Sequence, residues 1–327
     1  MNNFQLYPLK FQPILKDKIW GGKKLKTVLN KPIGTSTECG ESWEISGVPG
    51  DISVVSEGPL QGKTLVNLIE EFKGELVGDK VFEKFKSDFP LLIKFIDANQ
   101  DLSIQVHPND AMAKERHNSF GKTEMWYVVD AEKGASLISG FNKPTSKGEY
   151  LDYFSSGKLT KLLNKEHVFN DEVYFLPAGR VHTIGKGLLI AEIQQTSDIT
   201  YRIYDFDRLD AKGNKRDLHV EQALDAIDYS YYQDYKTQYD TKSNETELVS
   251  CPYFTTKRLI VDNELNRNYS TLDSFVVLMC LQGEGSLHFG SNSISYTLGD
   301  TILIPNKLSE LTILPSSFSK LLEVYVL

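Results

Sequence analysis

The chain has 327 residues, of which 40% are hydrophobic and 24% charged, a balance that excludes collagen-like, coiled-coil and disordered proteins. At roughly 150 residues per domain, this length predicts two domains. The net charge of −8 disfavours a nucleic-acid partner because the sequence lacks a basic stripe, whereas a small anion needs only a few cations that converge in one pocket.

The first part of the chain predicts strands and loops followed by a helical stretch. Residues 1–15 contain no continuous apolar run, so we expect no signal peptide and a cytoplasmic protein. Three widely spaced cysteines disfavour disulfides and cysteine–zinc clusters. The short apolar run 52–55 is typical of a strand, whereas apolar residues at spacings of three and four predict helix over about 64–86.

From residue 90 onward the sequence predicts many short strands, which favours an all-β sandwich or barrel. A second helix is expected over about 217–228, and the polar stretch 235–247 is typical of a linker or exposed loop. This polar stretch places a domain boundary near residue 245, so we predict one domain over 1–245 and another over 246–327. The predicted strands are 91–96, 102–106, 125–129, 173–176, 188–193, 275–281, 286–289, 301–304 and 321–327. The apolar run 275–281 is too short to span a bilayer, so no membrane association is expected.

A weak internal repeat relates the two predicted domains. A strand, a proline and a turn lead to His182 in the first copy, five residues after Pro177. The same pattern leads to Glu310 in the second copy, five residues after Pro305. The repeat predicts two related β units, of which only the first carries metal chemistry.

One predicted strand carries polar residues on a single face. Strand alternation places Ser103, Gln105 and His107 on one side, and Ile104 and Val106 on the other. Buried polar groups must be satisfied, so the triplet indicates either a functional face or a solvent-facing edge strand.

Two further segments bring chemical groups to the same predicted β unit. Lys122 and Glu124 share a face at the start of the next strand, as solvated rim residues also do, and a lone histidine such as His182 is commonly structural. As a set, Gln105, His107, Glu124 and His182 supply an amide, two imidazoles and a carboxylate. These groups suit zinc or a related divalent ion with one open coordination position.

Five blocks of sequence resemble the type I mannose-6-phosphate isomerases of the cupin superfamily, in their short bacterial form. They are Ile-Trp-Gly-Gly at 19–22, Gly-Glu-Ser-Trp-Glu at 40–44, Ser-x-Gln-x-His-Pro-Asn at 103–109, Gly-Lys-Thr-Glu at 121–124, and the run from 191 to 202. This sequence differs from other branches of the family at Gly121, where those branches have a histidine. A ring-opening role for that histidine therefore does not apply here. The chain also lacks room for the large helical insertion of the long forms.

The resemblance implies a mainly β fold of two cupin-type jelly-roll barrels with a few added helices, the second barrel lacking metal ligands. It implies one zinc ion and the interconversion of mannose 6-phosphate and fructose 6-phosphate through an enediolate. The implied zinc ligands are Gln105, His107, Glu124 and His182. The implied substrate and catalytic positions are Lys94, Ser103, Lys122, Glu192 and Arg202.

The chemistry of isomerisation suggests a division of roles among these residues. A proton must leave C2 and return at C1. Glu192 is expected to be the base or the proton shuttle, and Arg202 to hold the enediolate or the phosphate with its planar fork. Lys94 and Ser103 are expected to bind phosphate, and Lys122 to lie near the metal and the reacting carbons. We also expect Trp20 to line the sugar pocket, whereas core packing is favoured for Trp43.

Two other functions are compatible with the same pocket. A non-catalytic cupin could sense sugar phosphates, but such a sensor needs neither Lys122, Glu192 nor Arg202. A different cupin enzyme, such as an iron-dependent oxygenase or another sugar isomerase, is disfavoured by the amide among the ligands. For the favoured function, the expected partner is a small sugar phosphate, and the expected assembly is a monomer or a weak homo-oligomer.

Overall fold

The computed structural model describes residues 6–209 and 212–327, and most of its regular structure is β-strand. The described residues contain 22 strands, seven α-helices and one 3₁₀-helix (Leu159–Lys161). In chain order the strands are β1 (Leu9–Lys10), β2 (Ile14–Gly22), β3 (Cys39–Ile45), β4 (Leu91–Ala98), β5 (Ile104–Val106), β6 (Glu124–Ala131), β7 (Ser136–Phe141), β8 (Leu163–His167), β9 (Val173–Leu176), β10 (His182–Thr183), β11 (Leu188–Gln195), β12 (Tyr201–Tyr204), β13 (Lys236–Thr237), β14 (Glu245–Ser250), β15 (Thr255–Val261), β16 (Leu265–Asn268), β17 (Val276–Gln282), β18 (Glu284–Phe289), β19 (Asn292–Thr297), β20 (Thr301–Ile304), β21 (Glu310–Pro315) and β22 (Ser319–Tyr325). The α-helices are α1 (Lys24–Thr27), α2 (Leu65–Phe72), α3 (Gly74–Val77), α4 (Asp79–Phe85), α5 (Asp110–His117), α6 (Lys147–Ser155) and α7 (Val220–Ala226).

The first pair of sheets contains the strands from β2 to β13. A seven-stranded sheet has the order β13-β9-β6-β11-β4-β3-β2, and a five-stranded sheet has the order β12-β5-β10-β7-β8. Apolar side chains from both sheets, such as Ile96, Trp126 and Leu137, form a common core between them. The edge strands of each sheet pair with no strand of the other sheet, so this unit is a sandwich of two open sheets rather than a closed barrel.

The second pair of sheets is smaller and contains most of the chain after residue 244. It consists of a six-stranded sheet, β1-β20-β17-β22-β15-β14, and a four-stranded sheet, β16-β21-β18-β19. Its core includes Leu259, Leu278 and Ile313. The predicted mainly β fold is therefore confirmed, with both jelly rolls built as open sandwiches. Because β1 pairs with β20 through Leu9 and Leu303, the start of the chain also joins this second unit.

The two large sheets pack back to back. Phe95 and Ala191 of the seven-stranded sheet share one core with Val277 and Leu322 of the six-stranded sheet, and α2, α3 and α4 add apolar residues to it. Strand alternation then directs the neighbours of these residues, including Lys94, to the opposite face. The shared core thus fixes the outer face of the seven-stranded sheet and leaves its inner face for a site.

Most predicted elements are present. The helical stretch 64–86 forms α2, α3 and α4, the stretch 217–228 contains α7, and the predicted strands from residue 90 onward are confirmed within a few residues. The run 52–55 forms only isolated bridges at its last two residues. The internal repeat also has a structural counterpart, because β9 to β10 and β20 to β21 each pass from the larger sheet to the smaller one.

No helix among the described residues is both long enough and apolar enough to cross a membrane. The division into domains at residue 245 stays a prediction.

Candidate metal and substrate site

The polar strand face predicted from the sequence points into the first sandwich. Strand β5 lies between β12 and β10, so the alternative of a solvent-facing edge strand is wrong. Ile104 and Val106 are buried in a core that includes residues of α6 and α7. Ser103 and His107 are buried on the opposite face because the strand has a period of two.

Three of the four predicted metal ligands form a buried cluster. One ligand atom from each of His107, Glu124 and His182 lies within 4.8 Å of the others. Nε2 of His107 is 3.5 Å from Glu124 Oε2, and Nε2 of His182 is 3.4 Å from Glu124 Oε1. Gln105 joins them because it pairs with His182 across β5 and β10, and its amide nitrogen lies 3.3 Å from His182 Nε2. Rotation of this side-chain amide by half a turn would place its oxygen, instead of its nitrogen, toward the cluster.

The neutral imidazoles of this cluster suit a divalent cation. Each histidine donates its Nδ1–H to a backbone carbonyl at 2.8 Å, so Nε2 keeps its lone pair. Burial, with the nearby Lys122 ammonium, lowers the pKa of His182 to about 3 and that of His107 well below its usual value. Burial also raises the pKa of Glu124 to about 7, against the opposing effect of Lys122. Oε1 of Glu124 is buried without a hydrogen bond from any described residue, which leaves it available as a ligand.

Lys122 lies beside the cluster, as the sequence predicts. Its Nζ is 2.9 Å from Glu124 Oε2 and 3.0 Å from His107 Nε2. The side chain is almost completely buried. A fixed positive charge therefore adjoins the ligand cluster.

A buried ion pair lies on the neighbouring strands. Lys94 and Glu192 are direct partners across β4 and β11, and Lys94 Nζ is 3.1 Å from Glu192 Oε2. Trp126 donates its Nε1–H to the other carboxylate oxygen at 2.9 Å. Burial alone would raise the pKa of Glu192, but the attraction of Lys94 and Lys122 outweighs it and the pKa is lowered. The carboxylate is therefore ionised at neutral pH.

Arg202 lies on the other side of the site. It pairs with Gln105 across β12 and β5, and its guanidinium donates to the carbonyl oxygen of Asp217 at 2.8 Å. Its Nε–H is buried and donates to no acceptor among the described residues. Burial and the nearby Arg216 lower the pKa of Arg202.

A cavity of about 380 Å³ lies in the first sandwich. His107, Glu124 and His182 do not line it, but Gln105 and Lys122, which contact them, do. The predicted site residues that line it are Trp20, Lys94, Ser103, Gln105, Lys122, Glu192 and Arg202. Six cationic side chains line the same cavity against four carboxylates. In a chain of net charge −8 this local excess of cations favours an anionic ligand.

The two tryptophans near the cavity have mixed roles. Trp20 lines the cavity but is also part of the core between the two sheets. Trp43, for which core packing is expected, lines the cavity as well, and the ammonium of Lys94 lies 5.1 Å from its ring centroid. Trp43 therefore supports the Lys94 charge from one side.

Several residues that line the cavity, among them Lys18, Glu41 and Arg216, are not predicted as site residues from the sequence. Glu41 accepts a hydrogen bond from Trp43 Nε1 at 2.7 Å, and Lys18 Nζ lies 3.4 Å from the same carboxylate. Arg216 approaches from the loop before α7, where it pairs with Asp205 through Nε at 2.8 Å. Glu41 belongs to the conspicuous 40–44 block, which was a usable signal, whereas Arg216 lies in a polar stretch without one.

Comparison with known proteins agrees with this arrangement. Residues 8–139 match the model of "Phosphomannose isomerase type I, catalytic domain", and residues 244–321 match that of "Mannose-6-phosphate isomerase, cupin domain". Mannose-6-phosphate isomerase of Streptococcus mutans is 37% identical over 303 residues, which is 92% of this chain and 93% of the relative. Mannose-6-phosphate isomerase ManA of Bacillus subtilis is 36% identical over 311 residues, which is 93% and 94% of the two chains.

Solved structures share the architecture. The crystal structure of mannose 6-phosphate isomerase from Bacillus subtilis superposes with a TM-score of 0.88 at 33% identity, covering 98% of this chain and all of the other. A putative mannosephosphate isomerase from Archaeoglobus fulgidus superposes with a TM-score of 0.80 at 19% identity over the whole of both chains, which shows a common fold.

Proposed function

This chain belongs to the type I phosphomannose isomerase family, and on that premise we propose that it interconverts mannose 6-phosphate and fructose 6-phosphate. The observation that carries the proposal is the buried cluster of His107, Glu124 and His182 at the cavity that Glu192 and Lys122 line. This places metal ligands, an ionised carboxylate and an ammonium around one space.

We propose a zinc ion held by Gln105, His107, Glu124 and His182. Two imidazoles and a carboxylate match the donors that zinc takes in catalytic sites, and the amide oxygen of Gln105 would be a further neutral oxygen donor. When bound there, zinc would polarise the oxygens on C1 and C2 of the sugar. The hydrogen bonds from both histidine Nδ1 atoms support this assignment, because they fix the rings with Nε2 toward the cluster.

Glu192 is the proposed base. Its carboxylate removes the proton from C2 of the open-chain aldose and delivers it to C1, while the hydroxyl proton on O2 passes to O1, and both transfers are reversed in the other direction. Lys94 and Trp126 hold the carboxylate ionised and oriented, since they contact its two oxygens. The negative charge that develops on the enediolate oxygens is stabilised by the Lys122 ammonium.

The phosphate is proposed to bind at the end of the cavity that Arg202 lines. The sequence predicts Lys94 and Ser103 as phosphate ligands. Lys94, however, forms an ion pair with Glu192, which neutralises much of its positive charge. By contrast, no carboxylate among the described residues lies within an ion-pair distance of Arg202, and Arg216 lines the same cavity. Arg202 therefore has a guanidinium fork available for an oxyanion, and Ser103 adds a hydroxyl to the cavity wall.

The sensor alternative keeps the pocket without the reaction. The ionised carboxylate of Glu192, paired with Lys94, favours catalysis. A sensor would have no use for a carboxylate beside its site, because a carboxylate repels an anionic ligand, whereas an isomerase needs one as a base. We further propose that the protein works in the cytoplasm as a monomer or a weak homo-oligomer.

A coupled assay of mannose 6-phosphate turnover tests the proposal. The purified protein is assayed as isolated, after chelation and after zinc is restored, with its metal content measured in each state. We expect turnover that is lost on chelation and recovered with zinc. Absence of turnover in zinc-replete protein that still binds mannose 6-phosphate would instead support the sensor.

A further inference from the structure

The segment that carries Lys122 is held by side-chain as well as backbone hydrogen bonds. The N–H of Lys122 donates to the carbonyl of Pro108 at 3.1 Å, and the carbonyl of Thr123 accepts from the N–H of Gln195 at 3.1 Å. Residues 121–123 belong to no helix or strand, although Glu124 begins β6. The N–H of Gly121 donates to Asp110 Oδ1 at 2.9 Å, and the N–H of Thr123 donates to Gln195 Oε1 at 2.9 Å. Asp110 and Gln195 therefore add a side-chain anchor to the backbone on each side of Lys122.

These two side chains are joined to each other and to the second sandwich. Gln195 Nε2 donates to Asp110 Oδ1 at 2.9 Å, and the hydroxyl of Tyr253 donates to Asp110 Oδ2 at 2.9 Å. No lysine or arginine among the described residues forms an ion pair with Asp110. Its carboxylate therefore depends on three neutral donors, namely Gly121, Gln195 and Tyr253.

Close packing makes this arrangement specific. A Cβ at Gly121 would lie 2.6 Å from the backbone nitrogen of Asp110 and 2.7 Å from the carbonyl carbon of Asn109. Both distances are far inside van der Waals contact. Only glycine lets the segment approach the start of α5 closely enough to reach Asp110.

The network lies behind the site. Asp110, Gln195 and Tyr253 line a second cavity, of about 470 Å³, and none of them lines the cavity of the candidate site. They do not line that site, so they would act on the reaction through other residues, and their hydrogen bonds to Gly121 and Thr123 lead directly to Lys122.

We propose that Asp110, Gln195 and Tyr253 are positioning residues that set the place of the Lys122 ammonium in the site. The inference rests on the proposed function, because it takes Lys122 to act on the reacting sugar. It adds that a tyrosine of the second sandwich contributes to catalysis in the first.

The test compares Asp110→Ala, which removes the acceptor of all three hydrogen bonds, and Tyr253→Phe with the control Tyr239→Phe. Tyr239 and Tyr253 are both half-buried against the same core, and each donates one hydrogen bond, but Tyr239 donates to the carbonyl of Asp171, which is outside the network. Steady-state kinetics are measured for each variant alone and in a Lys122→Met background. Hydrogen exchange of a peptide that spans residues 121–124 is followed by mass spectrometry.

We expect Asp110→Ala to lower kcat about 10-fold with KM changed less than about 3-fold, because a small displacement of a catalytic group costs rate more than affinity. Tyr253→Phe should lower kcat by a smaller factor, and Tyr239→Phe should leave it unchanged. In the Lys122→Met background, Asp110→Ala should have no additional effect. The 121–124 peptide should exchange faster in both network variants.

Additive effects of Asp110→Ala and Lys122→Met, or an unchanged exchange rate at 121–124, would overturn the inference. If Asp110→Ala fails to fold, the same criteria apply to Tyr253→Phe. A wild-type protein without turnover would refute the proposed function, whereas the exchange measurement would still decide whether the network fixes this segment.

Discussion

The buried pair of Lys94 and Glu192 allows a quantitative prediction. The two charges are 3.1 Å apart and both side chains are almost fully buried. Lys94→Met leaves the Glu192 carboxylate with the Trp126 hydrogen bond and the more distant Lys122. Removing one partner of a buried pair costs about 3–5 kcal/mol. Because those two contacts remain, we expect a loss near 3 kcal/mol at pH 7.

The stability lost in Lys94→Met should depend on pH in a definite direction. In the wild type the Lys94 ammonium helps to lower the pKa of Glu192. Without Lys94, we expect burial to raise this pKa above its value in the unfolded chain. A raised carboxyl pKa destabilises the fold at neutral pH and ceases to do so as the pH falls and the carboxyl is protonated. The difference in unfolding free energy between wild type and Lys94→Met should therefore shrink from pH 7 to pH 5. Urea denaturation at each pH measures it.

Two further variants make the prediction refutable. The double variant Lys94→Met/Glu192→Gln should have a free energy of unfolding within about 1 kcal/mol of the wild-type value, since neither charge of the pair stays buried without its partner. Lys257→Met, which breaks an exposed pair with Glu245, should cost no more than about 1 kcal/mol. If the double variant is no more stable than Lys94→Met, the stability loss does not come from the unpaired Glu192 and the reasoning is wrong.

Three other predictions concern single residues. Arg202→Ala should lower kcat/KM for mannose 6-phosphate by about 10- to 100-fold while zinc content stays at the wild-type level, and an unchanged kcat/KM would remove its assigned role. Trp126→Phe removes a hydrogen bond to Glu192 and should lower kcat about 10-fold with zinc retained; wild-type kcat would show that this bond does not orient the base. The hydrogen bond from Arg267, with a second from Lys257, lowers the pKa of Glu245 to about 2, so this group stabilises the fold above its ordinary pKa of 4.5 and loses the effect as the pH falls toward 2. Glu245→Gln should therefore have a lower melting temperature than wild type at pH 7 and a matching one near pH 2, and parallel pH curves would contradict this.

Much of the candidate site follows from strand periodicity. A period of two places Ser103, Gln105 and His107 on one face whatever the rest of the chain does, and the same rule groups Lys122 with Glu124. The structure brings these residues together as expected.

Contacts between distant strands do not follow from that rule. The direct pairing of Lys94 with Glu192 depends on the register of β4 against β11, which local sequence does not encode. The positions of Arg216 and Tyr253 depend on how loops pack over the finished sheets. No spacing in the sequence could reveal either contact.

Short polar helices were also beyond prediction. Helix α5 buries only Ala113, so it has no apolar periodicity, and it begins where Asn109 accepts a hydrogen bond from the N–H of Met112. Helix α6 likewise buries only Tyr150 and begins after Ser146, whose side chain accepts from the N–H of Glu149. Capping and tertiary contacts, rather than an amphipathic pattern, define these helices.

Closed barrels were expected where the structure has open sandwiches. Alternation and turn signals predict strands but do not distinguish two facing sheets from one sheet closed on itself, because both bury one face of every strand. The difference lies in the edge strands, such as β2 and β13, which have no partner in the opposite sheet.

Zinc titration of metal-stripped protein tests the central claim most directly, with Glu124→Gln compared with Glu192→Gln. Both carboxylates are buried at the same site, but only Glu124 belongs to the proposed ligand set. We predict one zinc ion per chain in the wild type, affinity weakened more than about 100-fold in Glu124→Gln, and near wild-type affinity in Glu192→Gln. Wild-type affinity in Glu124→Gln, or an equal loss in both variants, would contradict the account.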